Sequence, residues 1–193
     1  MTAETEAGDA GREELASTEI DWDDIDKASH HAHALLRDVA ESALLEELIA
    51  AAVRELAHRL VEVDGTERVV LLAPADRDWI LELLLGDDAP PPDPAAPSVE
   101  YSVLSLRGGF EFTIFHRDST DDNGLVPSVT RFEQPGSCYT SSATLVQTLG
   151  TTSETVALVV RRPTRQPAEG STEAVPARTT AVLSRLAALG MSR

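Results

Sequence analysis

From Ile25 to Val63 the apolar positions recur at steps of three and four. Leu35, Leu36, Val39, Leu45, Leu48, Ile49, Ala52, Val53, Leu56 and Leu60 carry the pattern, and neither Pro nor Gly interrupts it before Gly65. That spacing predicts helix, with acids at Asp23-Asp24 to start it and Asp64-Gly65 to stop it. One unbroken helix would run roughly 60 Å and overhang its core. The pattern therefore predicts a bend near Ala40–Ala43, giving a helical hairpin, or a long helix covered by a partner chain. Arg68–Ala73 (RVVLLA) is a short apolar run that reads as a buried strand. Asp76 is placed to cap a further helix through Leu85, with Trp79, Ile80, Leu83 and Leu84 on its inner side.

Beyond residue 97 the period changes to two. VEYSVLSLRGGFEFTIFHR, residues 99–117, has alternating runs on both sides of Arg107-Gly108-Gly109, the pattern of a β-hairpin. A two-residue turn sets Val103 opposite Phe112 and Tyr101 opposite Ile114, which makes one continuous apolar face. Ser128–Glu133 predicts a third strand, Thr140–Leu149 a short helix, Thr155–Arg162 (TVALVVRR) a further strand, and Val175–Leu189 a last amphipathic helix. The expected class is α+β: an N-terminal long helix or helical hairpin, then a mixed, mainly antiparallel sheet of four or five strands with helices on one face. The expected division has four parts: an acidic disordered tail over 1–20, a single domain over 21–162, a linker over 163–176 and a C-terminal helix over 177–193. Within the domain, a helical half (21–86) and a β-rich half (98–162) flank a proline-rich connector at 87–97, DDAPPPDPAAP.

Charge changes the picture of the surroundings. The 193 residues carry a formal charge of −17, and residues 1–26 alone hold ten acids against one base. Lys27 is the only lysine beside fifteen arginines. This composition resembles that of salt-in halophile proteins, in which carboxylates stay hydrated in concentrated salt while the salt screens their repulsion. The resemblance implies a salt-adapted cytoplasmic protein. A single cysteine, Cys138, excludes an intrachain disulfide. An acidic N-terminus without an apolar segment argues against a signal peptide, and short apolar runs argue against a membrane span. The negative charge disfavours nucleic acid and membrane surfaces as partners.

Two stretches hold candidate chemistry. In SHHAH, residues 29–33, a helix would bring His30 and His33 onto one face one turn after Asp26. One carboxylate and two imidazoles suit zinc or a similar ion; the alternative is a solvated helical face. In PGSCYTSSAT, residues 135–144, Cys138 sits among hydroxyls before the expected helix, with His116 or His58 as a conceivable base. Tyr101, Phe112, Cys138 and Tyr139 are the candidate ligand-binding set. Asp118, Asp121 and Asp122 form an acidic loop, and Arg161, Arg162 and Arg165 the one basic cluster. No nucleophile elbow, phosphate loop or cofactor motif occurs, so no catalytic residue and no cofactor is assigned. The function these features predict is a non-enzymatic regulatory or protein-interaction module, dimerising through its long amphipathic helix or meeting a protein partner. The alternatives are a small-ligand-sensing domain of a regulator and a small metal- or Cys-dependent enzyme.

Overall fold

The protein is a three-layer arrangement of helices, a six-stranded sheet and a three-stranded sheet. The structure is a computed structural model that describes residues 3–63, 66–88, 91, 94, 100–117, 124–142, 144–163 and 175–188. Four helices come first: α1 (Ala3–Ser17), α2 (Ile25–Glu41), α3 (Leu44–Arg54) and α4 (Leu56–Arg59). Nine strands follow: β1 (Leu60–Val63), β2 (Thr66–Leu72), β3 (Ile80–Leu85), β4 (Tyr101–Arg107), β5 (Phe110–Arg117), β6 (Leu125–Glu133), β7 (Cys138–Ser141), β8 (Val146–Gly150) and β9 (Val156–Arg161). Helix α5 (Val175–Ala188) is the last described element. The large sheet has the order β1-β2-β3-β9-β4-β7 and the small one β6-β5-β8, with every pairing antiparallel.

This corrects the expected class: the chain is mostly β, with nine described strands in two antiparallel sheets where four or five in one sheet were expected. The expected helix over 76–85 is strand β3. Leu81, Leu83 and Leu85 face the helices while Glu82 and Leu84 face the small sheet. A strand buried on both faces is apolar throughout, and such a run has no period to separate it from a buried helix. The expected helix over 140–149 is the pair β7 and β8. The expected hairpin over 99–117 is not one, because β4 pairs with β9 and β7 while β5 pairs with β6 and β8. The chain steps from one sheet to the other at Gly108-Gly109, both at positive φ (75° and 69°). A Cβ on Gly109 would lie 2.4 Å from the Glu133 carbonyl oxygen, so only glycine fits this crossing. Val103 and Phe112 do belong to one core, but from opposite sheets.

The run from 25 to 63 is three helices and a strand. Asp24 caps α2 by accepting from the Lys27 backbone N–H at 3.2 Å. Ser42, in extended conformation, ends it, and its backbone and hydroxyl both donate to the Val39 carbonyl. The apolar stripe of α2 and α3 is covered at home. Ala28, Ala32, Leu35, Leu36, Val39, Leu48, Ile49 and Ala52 pack with Leu158, Val160, Leu81, Leu83 and Leu104 of the large sheet in one core. Each fully buried Leu or Val there contributes about 1.5–3 kcal/mol of burial free energy. The expected helix-mediated dimer is therefore overturned, since the ridge that called for a partner is not on the surface. The first twenty residues, expected as a solvating tail, include α1, whose Leu15 enters the same core.

Some of the described acids are placed as partners for bases. Asp21 and Asp24 pair with Lys27, Glu19 with Arg77, Glu62 and Glu67 with Arg178, and Asp23, Asp78 and Glu100 with Arg162. The expectation of a brine-adapted surface rests on composition alone and is not retained. Among the described residues, no helix is long and apolar enough to cross a membrane. The connector at 87–97, the linker at 163–176 and the C-terminal end fall mostly outside the described residues.

Candidate functional site

Two helix stripes face each other across a cleft. Gly11, Glu14, Leu15 and Thr18 recur at one-turn spacing on α1 and just beyond it, and His31, Ala34, Leu35, Asp38 and Val39 do so on α2. With Glu19, Ser42 and Leu44 they line a cleft of about 700 Å³. Leu15, Leu35 and Val39 form a buried apolar floor. Glu14, Glu19, Asp38 and His31 bring charge or polarity to its walls, and Thr18 and Ser42 bring hydroxyls.

The position of α1 is set from the sheet side. Trp79 donates its indole N–H to the Thr18 carbonyl oxygen at 2.9 Å, and Arg77 donates to the Ala16 carbonyl at 3.1 Å while pairing with Glu19 at 3.0 Å. Near its middle Arg12 donates to the Glu47 carbonyl oxygen of α3 at 3.4 Å, and Gly11 sits against Leu44. The C-terminal half of α1 is thus fastened at Gly11–Arg12 and again at Ala16–Thr18, with the cleft between the fastenings.

The histidines of SHHAH separate. Asp26 and His30 are exposed, His31 reaches the cleft, and His33 turns toward the sheet. There His33 Nε2 lies 2.9 Å from Thr140 Oγ1, which also donates to Ser29 Oγ at 3.2 Å and lies 2.6 Å from Ser102 Oγ. Burial lowers the His33 pKa, assisted by the charges of Arg37 and His30, and so favours the neutral ring. A neutral imidazole among three hydroxyls satisfies polar groups that meet between α2 and the sheet. Among the described residues no group of three or more His, Cys, Asp or Glu is placed to hold a metal.

The four proposed ligand residues divide between two cores. Tyr101, Phe112 and Tyr139 gather in the space between the sheets, with Phe112 and Tyr139 ring centroids 4.0 Å apart. Tyr139 donates to Gln147 Oε1 at 3.0 Å, and Gln147 donates onward to Ser141 Oγ. Cys138, one residue away on β7, points the opposite way into the helix-side core. Burial pushes its thiol up to about 11, against the lowering influence of Arg37 and a backbone hydrogen bond from Tyr139. His116, the conceivable base, is bonded to Ser128 Oγ on the small sheet at 2.8 Å.

The basic cluster also divides. Arg161 is buried and gives both Nε and Nη2 to Glu82 Oε1 at 2.9 and 2.8 Å. Arg68, 4% exposed, reaches Glu82 Oε2 at 3.3 Å, and its Nε is buried without a partner. Arg162 binds Asp78 and Glu100, each at 2.9 Å. Arg165 and the acidic loop residues Asp118, Asp121 and Asp122 lie outside the described residues.

Sequence reasoning missed the cleft. Its one signal was Leu15, a lone apolar residue four positions after Gly11 and three before Thr18 in an acidic stretch; that stretch's low hydrophobicity masked the helix.

No family model and no curated protein matches the chain. Among solved structures, it is similar to a cupin 2 conserved barrel domain protein from Salinispora arenicola, at 10% identity over 65% of this chain and 91% of that one, with a TM-score of 0.38. It is similar to a putative mannose-6-phosphate isomerase from Ralstonia eutropha, at 18% identity over 54% and 90%, with a TM-score of 0.36. KdgF from Halomonas sp. matches at 12% identity over 52% and 82%, with a TM-score of 0.35. The expected non-enzymatic interaction module is not retained, because its ground does not hold. Its basis was an uncovered helical ridge, and in this chain the large sheet covers that ridge.

Proposed function

We propose that the protein is a small-ligand-binding domain, of the kind with which a regulator senses an effector, and that the ligand sits between α1 and α2. The observation that carries this reading is the cleft of about 700 Å³ itself. Small-molecule sites combine concavity of this size, an apolar lining and a few convergent polar groups, and Leu15, Leu35 and Val39 beneath Glu14, Asp38 and His31 supply that combination. A cytoplasmic setting belongs to the same reading, since Cys138 is a free, half-buried thiol.

The test is a screen of small compounds of mixed charge, read by thermal shift and by tryptophan fluorescence. Trp79 reports on the cleft because its indole is bonded to Thr18. Ala34 is exposed on the cleft wall, so Ala34→Trp fills the space without touching the core. The reading expects hits whose binding Ala34→Trp abolishes while the far-ultraviolet circular dichroism is unchanged. A screen without hits, or hits indifferent to Ala34→Trp, overturns it.

A further inference from the structure

We infer that the α1–α2 cleft selects an organic cation, a primary ammonium group on an apolar body. The inference rests on the reading of the cleft as a ligand seat and adds the chemical class of its occupant.

The charges around the cleft are one-sided. Its lining contains three carboxylates, Glu14, Glu19 and Asp38, and neither arginine nor lysine. Glu19 is already matched by Arg77 at 3.0 Å. Glu14 and Asp38 make no ion pair among the described residues, whereas Glu55, Glu62, Glu67, Asp78 and Glu100 each meet an arginine. The nearest bases in sequence are directed elsewhere. Arg12 donates to the Glu47 carbonyl oxygen. Arg37 acts on His33 and Cys138, on the flank of α2 that meets the sheet.

Beneath these two carboxylates lies the floor of Leu15, Leu35 and Val39, all buried. A neutral apolar ligand would cover the floor and strip water from the carboxylates without replacing it. An anion would add repulsion. An alkyl or aryl ammonium covers the floor with its body and returns to Glu14 and Asp38 the positive charge they lack. The three N–H donors of a primary ammonium also find acceptors in the Thr18 and Ser42 hydroxyls. No Phe, Tyr or Trp lines the cleft, so it lacks the aromatic faces with which quaternary ammonium groups are usually bound.

The experiment compares three probes that share one tail, hexylammonium, hexanol and hexanoate, by calorimetric titration of the full chain. The expected order is hexylammonium tightest and hexanoate weakest. Asp38→Asn weakens hexylammonium by about three- to fivefold, the size of one partly exposed ion pair, and leaves hexanol unchanged. Glu14→Gln with Asp38→Asn brings hexylammonium and hexanol to the same affinity. Glu46→Gln removes one exposed acid outside the cleft and changes nothing. Three probes of equal affinity, or hexylammonium indifferent to Glu14→Gln/Asp38→Asn, overturn the cation class while leaving the ligand seat in place. Equal weakening by Glu46→Gln makes the attraction a property of total charge and also overturns the class. If none of the three probes binds, the seat and the class fall together.

Discussion

Trp79 and Thr18 are joined by a 2.9 Å hydrogen bond from the indole N–H to the backbone carbonyl oxygen, across 61 positions of sequence. Trp79 is 1% exposed, so its indole has no alternative partner in water. Trp79→Phe keeps much of the apolar contact and leaves the Thr18 carbonyl without its donor. The expected cost is about 1–3 kcal/mol in denaturant unfolding. Amide exchange over residues 10–18 should quicken more than that over β9, because α1 loses a fastening and the sheet does not.

Glu82 is fully buried between two arginines, and the partners are not equal. Glu82→Gln leaves two guanidinium groups without a counter-charge and should cost about 3–5 kcal/mol. Arg161→Met removes two short bonds to one carboxylate oxygen, while Arg68→Met removes one long bond together with an Nε that already lacks a partner. Equilibrium unfolding should rank the losses Glu82→Gln, Arg161→Met, Arg68→Met, from largest to smallest. Equal losses for the two arginine variants would refute this account of the triad.

His33 predicts a dependence on acid. Its folded pKa lies below the ordinary 6.5, chiefly through burial, so below that value the unfolded chain binds a proton that the folded chain refuses. The stability linked to this ring is complete above pH 6.5 and is lost as pH falls from there toward the folded pKa. In stability curves from pH 8 to pH 5, His33→Asn should show a shallower decline than the parent protein.

Cys138 should be a slow nucleophile. With its thiol pushed up to about 11 from 9.0, the thiolate fraction at neutral pH falls roughly 100-fold relative to an unperturbed cysteine. Alkylation by iodoacetamide, followed by mass spectrometry, should proceed at least that much more slowly in the folded protein than in denaturant.

The contrast between α2 and β3 explains what could be read from sequence and what could not. Helix α2 has one buried face, so Ala28, Ala32, Leu35, Leu36 and Val39 stand out at helical spacing against exposed polar neighbours. In β3, Ile80–Leu85, both faces are covered, and leucines fill every position except Ile80 and Glu82. No periodicity survives such burial, and leucine's helix propensity then misleads. The members of the 101–114 apolar face were readable because alternation marks a face. Which sheet each strand joins was not, since that depends on the glycine crossing and on β9, some fifty residues later. The cleft was harder still, because its α1 wall comes from a stretch whose dense acids read as a disordered tail.

Strand β9 lies between β3 and β4 and pairs with both along its length. During synthesis it leaves the ribosome after every other strand of both sheets. Until residues 156–161 emerge, β1-β2-β3 and β4-β7 are separate ribbons with bare inner edges, and the nascent chain must keep those edges from wrong pairings. A stop codon placed after Gly150 would therefore leave a protein with nearly all its strands and no continuous large sheet.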